Sequence, residues 1–155
     1  MGSAMVEGEA EKPRNFRLKG MVVCESLLRL ASLASDIYGP DLERCVVYMA
    51  VISAAVGHFQ RNPDLRGRYS DVSPLPTEHV LGISRRAIAD SVGLPRETVR
   101  RKITALIEAG FIVEDEGLVK PKSPVVEFGR NLEFLLGALR EFERAGADIK
   151  RADLV

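Results

Sequence analysis

Apolar positions recur at a helical period over most of the chain, which predicts a mainly α protein. From Phe16 to Tyr38 they fall at 16, 20/21, 23/24, 27/28, 30, 33/34 and 37. Gly39-Pro40 then closes the run, as a glycine at C′ followed by proline does. Asp41 is placed to cap a second helix, about Leu42 to Arg61, that is apolar nearly all round: Val46, Val47, Met49, Val51, Ile52, Val56 and Phe59. A helix with no wet side is enclosed by others. It is therefore expected at the centre, touching both the first helix and the helical pair that follows. The last pattern, Ser123 to Ala145, opens with Ser-Pro at Ncap and N1. It repeats Phe128, Leu132, Leu135, Leu136, Leu139 and Phe142 at roughly heptad spacing, and Gly146 is expected to end it. Charges at Arg130, Glu133, Arg140, Glu141 and Glu143 make it amphipathic, so it must pack on the body or on a partner subunit.

Between these helices the pattern changes. Asn62 to His79, with Asn62-Pro63, Pro74 and Pro76, predicts a long loop from which Arg66, Arg68 and Tyr69 could reach a DNA backbone. Val80 to Ile83 predicts a short strand. Ser84 then caps a helix whose inner side is Ala87, Ile88 and Val92, with Ala89 at a close helix crossing. Gly93 stands where the chain must turn with positive φ, Leu94 plugs the core, and Pro95 suits the first turn of the next helix. On that helix Val99, Ile103 and Leu106 fall within about 40° of one another at ~100° per residue, and form the buried stripe. Glu97, Arg101 and Thr104 lie opposite, with Thr98, Arg100 and Ala105 on the flanks. Phe111–Val113 and Leu118–Lys120 then predict two short strands around Glu114-Asp-Glu-Gly117, a hairpin.

Charge sharpens this picture. The whole chain is formally neutral, which gives it no bulk attraction to nucleic acid. From Ser84 to Ala105, however, there are six cations (Arg85, Arg86, Arg96, Arg100, Arg101, Lys102) against two anions (Asp90, Glu97). A helix with a cationic outer face fits the DNA major groove: arginines donate to guanine O6 and N7, and Glu97 can accept from a cytosine amino group. Small residues such as Thr104 let such a helix sink toward base edges, and its N-terminal N–H groups suit a phosphate.

Residues 84–121 resemble the winged helix-turn-helix of bacterial transcription regulators. The likeness is closest to the DNA-binding domain of the cyclic-AMP receptor protein superfamily, through Arg96-Glu-Thr-Val99, Arg101 and the Leu106…Gly110-Phe-Ile112 run. The resemblance implies that Arg96, Glu97 and Arg101 read bases and that Thr98 contacts backbone or base. Three departures limit it. The upstream residues read as helices rather than a nucleotide-binding β-roll, so no cyclic-nucleotide effector carries over. The wing turn is acidic, which argues against a phosphate contact there. Lys102 replaces an apolar residue and is expected to reach round to a phosphate.

The fold class expected is mainly α with a small β-hairpin wing: a winged helix-turn-helix plus flanking N- and C-terminal helices. Residues 1–15 are polar and acidic and expected to be flexible. Residues 16–155 are expected as one helical domain, with the winged helix-turn-helix over about 41–121 and the helices 16–38 and 123–145 serving dimerisation. The expected DNA-binding residues are Ser84, Arg85, Arg96, Glu97, Thr98, Arg100, Arg101, Lys102 and Thr104. The function expected is that of a cytoplasmic, sequence-specific transcriptional regulator binding double-stranded DNA as a homodimer. A winged helix used only for protein–protein contacts is the alternative. A small-molecule effector is compatible with the helical body, though no polar constellation marks its site. Neither a cofactor nor a metal is implied: Cys24 and Cys45 read as buried free thiols in a reducing compartment, and His58 and His79 have no ligand-spaced companions. With no nucleophile–base pairing and no phosphate loop, an enzyme is not expected. The apolar run Cys45–Phe59 is shorter than the ~20 residues a bilayer span needs and reads as a core helix.

Overall fold

Local signals set most element boundaries in the computed structural model, which describes residues 13–70, 75–122 and 129–155. Helix α1 runs Phe16–Tyr38 and stops at Gly39-Pro40 as expected. Helix α2 runs Leu42–Val56, with the Asp41 carboxylate accepting from the Arg44 amide at 3.0 Å. It breaks at Gly57, earlier than the pattern suggests, and a single turn, α3 (His58–Arg61), follows. The expected loop over 62–79 contains a further helix, α4 (Pro63–Arg68). Asn62 caps it, accepting from the amides of Asp64 and Leu65, and Pro63 takes its first turn. Asn-Pro here is a helix start, not a turn. A 3₁₀ turn spans Thr77–His79, while Pro74 lies outside the described residues.

Helices α5 (Arg85–Val92) and α6 (Arg96–Glu108) form the expected helix-turn-helix. Strands β1 (Ile112–Asp115) and β2 (Leu118–Pro121) pair antiparallel, Ile112 opposite Pro121 and Asp115 opposite Leu118. Their two-residue turn, Glu116-Gly117, has positive φ at both positions (47° and 76°), the turn whose twist matches a hairpin. The strand expected over 80–83 shrinks to one bridge: Ile83 and Val119 exchange both backbone hydrogen bonds, at 3.0 and 2.8 Å. Helix α7 runs Arg130–Ala152, passing through Gly146 rather than ending there. Mid-helix glycine costs only about 1 kcal/mol, and side-chain pairs Arg144–Asp148 and Asp148–Arg151 brace the turns around it. The expected Ser123-Pro124 cap and Phe128 lie outside the described residues.

The chain forms two compact units. The larger unit, Ala34–Leu135, has its core where α2 meets α5, α6 and β2. Val47, Val51, Ala55, Ile88, Val99, Ile103, Ile112 and Val119 are among its most buried residues. Each such aliphatic side chain contributes roughly 1.5–3 kcal/mol on burial. Ala89 is buried at the helix crossing, whereas Ala87, expected inside, is exposed and Leu94 is only half-buried. Tyr38, at the end of α1, packs edge-on against Tyr48 of α2 at 5.8 Å between ring centres. By length and composition Leu42–Arg61 could cross a membrane (mean hydropathy 1.3). Its break at Gly57 and its enclosed Val47, Val51 and Ala55 make it instead the core helix of this unit.

The smaller unit comprises the chain up to Leu33 and Leu136–Val155, an antiparallel pair of helical segments. Gly137 permits the close approach: a Cβ there would stand 2.6 Å from a Leu33 methyl. The seam is polar. Arg144 donates to Glu141, Asp148 and the buried Ser26 hydroxyl, and Lys19 pairs with Asp153 at 2.6 Å. Arg144, above all, holds the Glu141 carboxyl down at about 2 against desolvation. Asn15, expected in the flexible N-terminus, donates to the Ala152 carbonyl at 2.7 Å and ties the start of α1 to the end of α7. Cys45 is buried as expected, but Cys24 is exposed.

Candidate nucleic-acid interface

The interface is built on the turn between α5 and α6. The Ser84 hydroxyl accepts from the Ala87 amide at 3.2 Å and starts α5. Gly93 ends it with φ of 67°, a left-handed conformation that any side chain would strain. Pro95 occupies the cap of α6 rather than its first turn, and offers no side-chain acceptor. The first bond of α6 runs from the Val99 amide to the Pro95 carbonyl, so the N–H groups of Arg96, Glu97 and Thr98 are left at a bare helix start. Those groups and the helix dipole favour a phosphate.

The buried stripe is the one the wheel predicts: Ile103 is 0% exposed, with Val99 and Leu106 nearly so. Locking that stripe fixes which side chains face outward. Arg96, Glu97, Arg100, Arg101 and Thr104 are exposed and Thr98 is half-buried on the flank. Their chemistry then separates them. Arg100 grips Glu97 through two hydrogen bonds, at 2.9 and 2.6 Å, which lowers the Glu97 carboxyl and raises the guanidinium. The Thr104 hydroxyl donates back to the Arg100 carbonyl at 3.0 Å. Among the described residues, Arg96 and Arg101 enter no ion pair, and these two cations stand outward on α6.

Residues 82–113 match the model of a winged helix-turn-helix DNA-binding family. The match covers about a fifth of the chain, from the bridge before α5 to the first strand of the wing. It supports DNA binding by this segment. Comparisons with curated proteins and with solved structures return no match.

Within this winged helix, three of the expected DNA contacts are paired with carboxylates of the chain. Arg85 donates twice to Glu114 of β1, at 2.8 and 2.6 Å, which ties the start of α5 to the wing and holds the Glu114 carboxyl low. Arg100 is held by Glu97. Lys102 does not reach outward: its ammonium bonds both Asp41 oxygens, at 2.9 and 2.8 Å, and approaches Glu43 at 3.3 Å. Partial burial pushes the Asp41 carboxyl up, but the bonds from Lys102 and the Arg44 amide bring it below its usual value. The acidic wing thus has a structural use. Asp41 and Glu114, missed as parts of this surface, position its cations from 61 and 29 residues away. Arg86 is exposed beside Arg85 and joins Arg96 and Arg101 as a cation without an ion pair among the described residues. Tyr69, expected to reach a DNA backbone, packs instead on Phe59 and His79, at 5.7 and 5.8 Å.

Proposed function

We propose that the protein is a cytoplasmic, sequence-specific transcriptional regulator. It places α6 in the major groove of double-stranded DNA, with Arg96 and Arg101 donating to base edges and the start of α6 holding a phosphate. The observation carrying this reading is the pair of unengaged arginines on the outward face of a helix whose opposite stripe is wholly buried, inside a segment matching a DNA-binding family. Glu97 and Arg100, already paired, serve the surface as a unit.

The reading includes a homodimer. In the smaller unit Leu27, Leu28, Leu139 and Phe142 are more than half exposed, with Leu28 at 72%. The seam is filled instead by small side chains and by the ion pairs Lys19–Asp153 and Arg29–Glu141. A second copy supplies matching apolar faces and places two recognition helices in successive grooves about 34 Å apart on a near-palindromic site.

Selection of bound sequences from a random duplex pool tests the proposal. A recovered motif with inverted symmetry is the expected result. A motif without symmetry removes the dimer, and no enrichment assigns the module to protein contacts.

A further inference from the structure

The larger unit contains a cavity of about 540 Å³ that the DNA-reading surface leaves unused. It is lined by Tyr38, Arg44, Ala109, Phe111, Arg130 and Asn131. Its volume falls among those of small-ligand pockets, roughly 300–1,000 Å³.

Its lining combines two chemistries. Arg44 and Arg130 bring two guanidinium groups, and among the described residues no carboxylate pairs with either. Arg44 uses Nη2 to donate to the Tyr38 carbonyl at 2.7 Å, which fixes its position and leaves most of its fork available. The remainder is aromatic. Tyr38 and Phe111 meet edge-to-face at 6.2 Å, backed by Phe134 on Tyr38 at 5.4 Å and Tyr48 on Phe111 at 5.3 Å. The neutral polar groups are already satisfied: the Tyr38 hydroxyl donates to Asn131 Oδ1 at 2.8 Å, and Asn131 Nδ2 donates to the Tyr48 oxygen at 2.7 Å. Burial pushes both tyrosine hydroxyls well above their usual ionisation, so they add no negative charge. The arginines set the sign of the cavity.

We propose that this cavity binds a small planar organic acid, its carboxylate held by Arg44 and Arg130 and its ring against half-buried Phe111. A neutral ring would leave the guanidinium groups without a partner, and a bare inorganic anion would leave half-buried Phe111 uncovered. Planar, bidentate recognition of a carboxylate is what an arginine fork does best. Ala109 caps the C-terminus of α6 and Phe111 leads into β1, so an occupant touches the end of the recognition helix and the base of the wing. Any effect on DNA binding rests on the reading above; binding itself does not.

Calorimetric titration of the full chain without DNA tests this, using 2-naphthoate as probe with 2-naphthalenemethanol and inorganic phosphate as controls at fixed ionic strength. Saturable binding of naphthoate is expected, with each control weaker by about tenfold or more, the loss of a charge-assisted contact. Arg130→Gln, on an exposed side chain, should weaken naphthoate by a similar factor with an unchanged melting curve. Arg44→Gln is the harsher variant, because it also releases the Tyr38 carbonyl. Equal binding of either control, undiminished binding by natively folded Arg130→Gln, or no binding at millimolar probe would each overturn the proposal. With DNA absent from the cell, none of these outcomes bears on the DNA reading, and a failed duplex selection would not bear on the cavity.

Discussion

In the unit Ala34–Leu135, aliphatic side chains from five elements close on one another and the charges face outward; in the helical pair of the smaller unit, ion pairs cross the seam and large apolar side chains face outward. The two arrangements obey the same physics with different partners. The first buries enough apolar surface within itself to account for its fold. The second has its helices joined by Lys19 with Asp153, Arg29 with Glu141 and Arg144 with Ser26, while large apolar side chains stay exposed. The outward apolar face is the feature on which the proposed dimer rests.

The comparison breaks first if the larger unit does not depend on its core. Ile103→Ala should cost about 2–5 kcal/mol in urea unfolding, because it leaves a cavity at a fully buried site. An effect below 1 kcal/mol would mean that the stripe is not the keystone of the unit. Next comes the outward face. Leu27→Glu with Phe142→Glu should weaken self-association by roughly 30-fold or more, the scale of a lost hot spot of ~2 kcal/mol, with helix content retained. Sedimentation showing the parent chain monomeric at micromolar concentration would end the dimer argument. On the DNA surface, Arg96→Ala or Arg101→Ala should lose on the order of 1–3 kcal/mol of discrimination at particular base pairs. Arg100→Ala should shift affinity less, since Arg100 is already bound to Glu97. Operator titrations with substituted base pairs would separate these cases; equal losses on every sequence would make the arginines phosphate clamps.

The smallest effect concerns the seam. Glu141 is held down at about 2 against an ordinary 4.5, so its contribution is present in full above pH 4.5 and is lost as pH falls toward 2. Glu141→Gln should flatten that part of the acid unfolding curve of the helical pair and leave the neutral-pH end displaced. An unchanged acid profile would show that the Glu141 carboxylate adds nothing to the stability of the helical pair.

What the sequence made legible was local. The span of α1, the stripe on α6, the turn at Gly93 and the wing follow from periodicity, caps and turn residues that act within a few positions. What it hid was long-range or competitive. The cations of residues 84–105 look unopposed in a sequence window, yet Asp41, Glu43 and Glu114 arrive from outside it and claim Lys102 and Arg85. Gly146 carries a stop signal that the braced helix around it outweighs, and Asn62-Pro63 carries a turn signal that is equally a helix start. Cys24 and Leu28 lie on a helical stripe that reads as inward, because periodicity identifies an apolar face without saying whether the same chain covers it.

The internal carboxylates alter the ionic bookkeeping of DNA binding. A cation already matched by its own protein's acid cannot neutralise a phosphate without first giving up that partner, so Arg85, Arg100 and Lys102 displace few condensed counterions when duplex arrives. At about −0.9 per neutralised phosphate, the slope of log affinity against log salt should be shallower than the value near −5 that six phosphate-neutralising cations would give. On the proposed DNA reading, binding by this surface should weaken less with added salt than binding by a surface with six free cations.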